Sequence, residues 1–334
     1  MEIGFFFWPY DVALVRAMAD AADRLGYDLV GVADTPGNAM DPWVAGAVLA
    51  AGTRRARVAL CVTNLATRHP AVSAAAIASL DQLAPGRAVL GIGAGHSGTR
   101  NLGVPSLPAG DLAEGVAFVK ALLRGRPAEY RGAGAHLPWV TRSSLVFLAA
   151  SHPRSLRAAG AVADGVFVNY GLGADDVATS EGIVTAAATA AGRSRDDVEI
   201  WQIACLDCHA DGDVARRKVG AILAFVSAYV MGSGDLARRG VPARYHEPLR
   251  ELRRRYSTRP GDADAALVTE LGLFDYLSRR LAVCGTPEDC LAQVRAARAA
   301  GVRRLMFTVS LAADPVRTVE LFGSRVLPAL RTGG

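Results

Sequence analysis

The regular alternation of strand-like and helix-like stretches constrains this chain more than any other feature. Apolar runs over residues 3–8, 28–34, 57–64, 87–93, 144–149, 165–169, 198–206 and 304–310 read as eight strands, and a helical stretch follows each. Strict alternation implies a parallel sheet, because each strand must return to the same end through a crossover. Runs such as Ala88-Val89-Leu90-Gly91-Ile92 are apolar without alternation, as expected of strands buried on both faces. Eight such units in 334 residues predict one domain, a closed (β/α)8 TIM barrel with insertions. The largest insertion is expected at about 230–281, before the last strand. A shorter excursion at 128–140 reads as a hairpin.

Composition narrows the function classes. With 51% apolar and 21% charged residues, the chain has too much apolar surface to stay disordered. No apolar run reaches the roughly 18 charge-free residues of a membrane-spanning helix, so no membrane association is expected. The start, Met1-Glu2-Ile3-Gly4, lacks a basic export-signal region, and a cytoplasmic enzyme is the expectation. The net charge of +5 is spread along the chain, apart from an arginine run at Arg250, Arg253, Arg254, Arg255 and Arg259. No nucleic-acid reading module accompanies it, so these arginines read as solvated helix faces. Cys205-Leu206-Asp207-Cys208-His209 fits a haem-attachment string, and with Cys284 or Cys290 it could supply zinc ligands. The bland reading, buried free thiols and no metal, is preferred.

In a parallel barrel the chemistry sits at the C-terminal ends of the strands. Those ends hold Trp8, Asp34, the Cys61-Val62-Thr63-Asn64 stretch, Gly93 to Ser97, Ala149 to His152, Asn169 and Ser310. They are small and polar, with one carboxylate and no nucleophile elbow. Such a set suits a planar cofactor that carries the chemistry itself. Gly93-Ala94-Gly95-His96-Ser97-Gly98 matches G-x-G-x-x-G, but no helix is expected at once and no acid-ended strand follows. It reads instead as a glycine loop that lets backbone approach a ligand. The Ala150-Ser151-His152-Pro153 stretch precedes a helix whose N-terminus suits a phosphate.

Several stretches together resemble the luciferase-like family of flavin- and deazaflavin-dependent enzymes. They are Cys61-Val62-Thr63-Asn64, Arg68-His69-Pro70, the helix through Asp81-Gln82-Leu83, Gly86 to Gly93, Ala163-Asp164-Gly165 with Asn169, and Gly285-Thr286-Pro287-Glu288. Within that family the sequence looks most like the coenzyme F420-dependent methylenetetrahydromethanopterin reductases. The resemblance implies a cofactor ring at the barrel mouth and a non-proline cis peptide at Cys61–Val62 forming a bulge behind it. It implies that Asp34, Thr63 and Asn64 line the ring. Gly95, His96 and Ser97 would touch the cofactor's side chain or the substrate, and Ala150, Ser151 and His152 its phosphate. A homodimer formed through barrel helices is also implied.

The sequence departs from the family pattern at one telling place. Members that oxidise alcohols or sugar phosphates carry a His after the acid of the second strand, whereas this chain has Thr35. The glutamate that sugar-phosphate dehydrogenases place after the fourth strand is also absent. The expectation is therefore hydride transfer from reduced F420 to a C=N or C=C bond of a small molecule. His96 and Asp34 are the candidate proton donors. Two alternatives stay open: an FMN-dependent monooxygenase and a non-catalytic flavin-binding protein. Tyr229, Met231, Tyr245 and His246 could line a substrate pocket, though ordinary helix packing is the simpler reading.

Overall fold

A computed structural model describes residues 1–232, 234–256, 265–312 and 314–331. Part of the expected insertion, residues 233 and 257–264, lies outside the described residues. The strands are β1 (Glu2–Phe7), β2 (Leu29–Val32), β3 (Arg57–Asn64), β4 (Ala88–Gly93), β5 (Ala128–Tyr130), β6 (Ala133–Ala135), β7 (Leu145–Ala150), β8 (Gly165–Val168), β9 (Glu199–Cys208), β10 (Ala282–Gly285) and β11 (Arg304–Thr308). The helices run from α1 (Val12–Leu25), α2 (Pro42–Gly52), α3 (Pro70–Leu83), α4 (Ser97–Arg100), α5 (Ala109–Leu123), α6 (Pro153–Val162) and α7 (Ala174–Ala190) onward. They continue with α8 (Gly212–Val230), α9 (His246–Arg255), α10 (Leu267–Glu270), α11 (Phe274–Leu281), α12 (Pro287–Ala299), α13 (Pro315–Arg325) and α14 (Leu327–Arg331).

Parallel pairing runs β11-β1-β2-β3-β4-β7-β8, and β9 joins β8 to β11, so the sheet closes as a (β/α)8 barrel. β5 and β6 form the antiparallel hairpin expected outside the barrel. One strand was not foreseen. β10 pairs with the C-terminal half of β9, Ala282 against Cys205 and Gly285 against Cys208. Cys205 also pairs with Thr308 of β11, so β10 occupies the edge of β9 that β8 leaves after Gln202. Four residues, Ala-Val-Cys-Gly, directly after α11, carry no period that would reveal a strand.

Helix ends follow local chemistry. Asp11 caps α1 by accepting from Leu14 N at 2.7 Å, and Gly26 closes it at φ 78°. Inside the barrel, Leu29, Ala59, Val89, Phe147, Phe167, Trp201 and Met306 pack together. The larger core lies between the strands and the surrounding helices. Polar pairs seal the N-terminal end. Arg57 meets Glu199 through both terminal nitrogens at 3.1 and 2.8 Å, Trp201 Nε1 donates to Glu199 at 3.2 Å, and Arg304 meets Glu2 at 2.6 Å. The Arg57 guanidinium holds the Glu199 carboxyl below its ordinary range, against the opposing effect of burial. With that end filled, the opening lies at the opposite rim.

Candidate active site

The strand C-termini surround a cavity of about 540 Å3 with mostly apolar walls. Its floor is the top layer of the barrel interior, Phe6, Cys61, Phe167, Ile203 and Thr308. Asp34, Cys61, Val62, Thr63, Asn64, Gly93, Gly95, His96, Ser97, Ala150, Ser151, His152 and Asn169 all line it. β1, β2, β8 and β11 end slightly before the positions read from sequence. Trp8, Asp34 and Asn169 therefore stand just beyond β1, β2 and β8, on the rim, where their side chains are free of the ladder.

The Cys61–Val62 peptide is cis, and the register of β3 on β4 shifts between Leu60 and Thr63. This bulge turns Val62 over β4. A Cβ on Gly91 would lie 2.9 Å from Val62 Cγ1, and one on Gly93 would lie 2.7 Å from Val62 Cγ2. Only glycine at both places lets Val62 sit down on the strand. The result is a low apolar ridge facing the cavity.

Polar groups flank the ridge. Thr63 Oγ1 donates to Asp34 Oδ2 at 2.7 Å. Burial raises the Asp34 carboxyl above its usual range, and the Thr63 hydroxyl and Arg68 only partly oppose this. Asn64 spends its carboxamide oxygen on the following loop, accepting from Ala66 N at 3.0 Å and Thr67 N at 2.9 Å. Thr35, in the position where a histidine would make an alcohol base, sits 3.1 Å from Ser97 Oγ and is buried. Asn169 Oδ1 is buried with no hydrogen-bond partner.

The glycine loop differs from expectation in one respect. A single helical turn, α4, does begin at Ser97, and Pro105 and Pro108 then delay α5 until Ala109. Gly95 at φ 83° makes the bend, and Ser106 Oγ donates to its carbonyl at 2.6 Å. His96 is carried over the cavity against Tyr229, with ring centroids 5.2 Å apart. Burial, with Arg253 and Arg100 nearby, lowers the His96 pKa. His152, at the start of α6, is pushed down to about 4 by burial and by Arg239, His96 and Arg253. Both groups are shifted toward the neutral form.

α8 supplies a wall that sequence reading largely missed. Phe225, Val226, Tyr229 and Val230 line the cavity. Phe225 meets Trp8 edge-on at 5.4 Å and Tyr229 at 5.4 Å, and Tyr256 backs them at 6.2 and 6.1 Å. Tyr229 thus belongs to the cavity. Met231 is buried elsewhere, Tyr245 stacks on Tyr276 at 4.2 Å, and His246 Nε2 lies 2.8 Å from the Val241 carbonyl. Ser310 lies outside the lining, where Thr308 takes its place. All five cysteines are free and buried. Among the described residues no group of three His, Cys, Asp or Glu side chains gathers to hold a metal, so the zinc arrangement does not form. Among them, too, no helix is long and apolar enough to cross a membrane.

Known proteins share this architecture. The coenzyme F420-dependent tetrahydromethanopterin reductase of Methanopyrus kandleri superposes with a TM-score of 0.81 at 24% identity, covering 98% of this chain and 99% of that one. An F420-dependent secondary alcohol dehydrogenase superposes with a TM-score of 0.75 at 18% identity, covering 99% of each. In sequence, the 5,10-methylenetetrahydromethanopterin reductase of Methanolobus tindarius is 28% identical over 98% of this chain and its own full length. The F420-dependent glucose-6-phosphate dehydrogenase of Microbacterium testaceum is 26% identical over 93% of this chain and 91% of its own. The sequence model of the luciferase-like monooxygenases matches residues 10–304, and the chain belongs to that family.

Proposed function

We propose that the chain is an F420-dependent oxidoreductase, a reductase of a C=N or C=C bond in a small molecule. The observation that carries the reading is the Val62 ridge, seated on Gly91 and Gly93 at the base of an apolar slot. A flat ring needs such a smooth, dry support, and the polar edges Asp34, Thr63 and Asn169 match a ring with hydrogen-bonding heteroatoms. The 540 Å3 volume accommodates a tricyclic group with a partner plane, and the Ser151–His152 end suits an anionic side chain. When bound, the deazaflavin supplies a hydride.

The chain's own residues then have three tasks. Val62 and the aromatic wall of Trp8, Phe225 and Tyr229 hold two planes face to face and exclude water. Asp34 holds the proton. Its buried carboxyl is shifted toward the protonated form, and Thr63 fixes its orientation. His96, shifted toward the neutral form, orients the substrate or the cofactor's side chain through a hydrogen bond. This arrangement favours Asp34 over His96 as donor. Thr35 leaves alcohol oxidation without its histidine base, which supports reduction of a polarised double bond.

Fluorescence titration of the purified protein with F420 and with FMN tests the proposal. Tight binding of F420 alone, followed by oxidation of reduced F420 on adding a cyclic enone or an imine, is expected. Tight FMN binding with oxygen consumption would replace the reading with a monooxygenase. F420 binding without turnover of any such acceptor would leave a binding protein.

A further inference from the structure

A buried guanidinium that shares its counter-charge with a second arginine stands beside the cavity. Arg239, between α8 and α9, is only 4% exposed. Its Nη1 donates to the Val230 carbonyl; among the described residues Nε and Nη2 have no close hydrogen-bond partner, and the Tyr170 side chain and the Asp176 carboxylate give the guanidinium further support. The guanidinium carbon lies 4.9 Å from the centroid of the Tyr170 ring, a contact that offsets part of the lost hydration. The neighbouring Arg280 is treated differently. Its Nη2 meets Asp176 Oδ1 at 2.6 Å and the Arg239 carbonyl at 2.7 Å. Two buried guanidiniums thus share one carboxylate, and Arg280 holds it. A buried charge without a carboxylate of its own is unfavourable, and an anionic ligand at this place would supply what it lacks.

The surroundings show where that ligand enters. Val230, which holds Arg239, lines the cavity. Tyr170, on which Arg239 rests, follows Asn169, a second lining residue with an unpartnered buried oxygen. Gly234 lines the same end, and a Cβ there would come within 3.8 Å of the His152 ring. Ser151 and Arg154 complete this end, and among the described residues no carboxylate lines it. Arg239 is near enough to His152 to be the foremost charge acting on its titration.

We infer that Arg239 is the counter-charge for an oxyanion, a phosphate diester or carboxylate, bound at the His152 end of the cavity. The inference rests on the deazaflavin reading only for the source of the anion, since the site itself follows from the incompletely paired guanidinium and its place beside the cavity.

The test compares wild type, Arg239→Met and Arg239→Lys by two measurements. The first is fluorescence titration with whole F420 and with its truncated form, which ends in a ribityl hydroxyl. The second is the thermal midpoint of the ligand-free protein with inorganic phosphate. Arg239→Met is expected to bind whole F420 about ten- to a hundredfold more weakly and the truncated form unchanged, with part of the loss recovered in Arg239→Lys. Phosphate is expected to raise the midpoint of wild type and not of Arg239→Met. Without phosphate, Arg239→Met should melt at or above wild type, because it removes an incompletely paired buried charge. Equal wild-type affinity for both deazaflavins, with the phosphate shift lost in Arg239→Met, would keep the site and move the source of the oxyanion to the substrate. A phosphate shift that survives in Arg239→Met, an equal loss of both deazaflavins, or a lower midpoint for the ligand-free variant would overturn the inference. If wild type binds neither deazaflavin, the cofactor reading fails, and the phosphate measurement alone decides the role of Arg239.

Discussion

Replacing Gly93 with alanine probes the ridge on which a ring would lie. Val62 straddles Gly91 and Gly93, and the added methyl would lie 2.7 Å from Val62 Cγ2. Carbon atoms in contact stand about 3.5–4.0 Å apart, so Val62 must retreat by roughly 1 Å. Turning the side chain gives no relief, since its other methyl already fills the space above Gly91 and a β-branched side chain has few rotamers. The retreat carries Val62 into the slot. Overpacking of this kind costs about 1–3 kcal/mol. Charged to the ligand, that is a loss of roughly ten- to a hundredfold in deazaflavin affinity. Fluorescence titration of Gly93→Ala reads the loss, and thermal unfolding reads the share borne by the fold. Val62→Ala in the same chain removes both methyls and should restore binding, a coupling that the double-mutant cycle measures directly. Unchanged affinity and an unchanged midpoint in Gly93→Ala would refute the reasoning.

Further outcomes follow from the same geometry. Asp34→Asn should lower single-turnover hydride transfer by about 10²–10⁴-fold while F420 affinity stays within a few-fold; an unchanged rate would remove Asp34 from proton transfer. Phe225→Ala should raise KM for the acceptor about tenfold and leave F420 affinity unchanged, which separates the α8 wall from the ring support. Folded His152 titrates at about 4, below its ordinary 6.5. Between those values the unfolded chain binds the extra proton, so stability falls as pH drops from 6.5 toward 4. His152→Gln should flatten that fall in thermal midpoints, and a profile identical to wild type would contradict the assigned shift.

The barrel was legible because buried parallel strands are apolar runs, and because Gly26 and the prolines at helix starts mark boundaries locally. The rim residues were legible for a related reason, since chain order alone puts Asp34, Asn64 and Asn169 at the same end. β10 was not, because its pairing depends on where β8 leaves the edge of β9, which no local period encodes. The α8 wall was half visible. Phe225 and Tyr229 stand four residues apart on one helix face, but core helices show the same spacing. Only the fold brings that face over Trp8 and leaves Met231, Tyr245 and His246 elsewhere. The one-turn helix after Gly95 was hidden by the prolines that follow it. The lowered titration of both histidines was hidden too, because it comes first from burial, which the fold creates, and then from charges such as Arg253 that are distant in sequence.

The most direct test is a crystal structure of the protein with F420. The account predicts the ring lying flat on Val62, in van der Waals contact at about 3.5–4.0 Å, between the Asp34 and Asn169 edges. A ring bound away from Val62, or a cavity that stays empty at saturating F420, would contradict it.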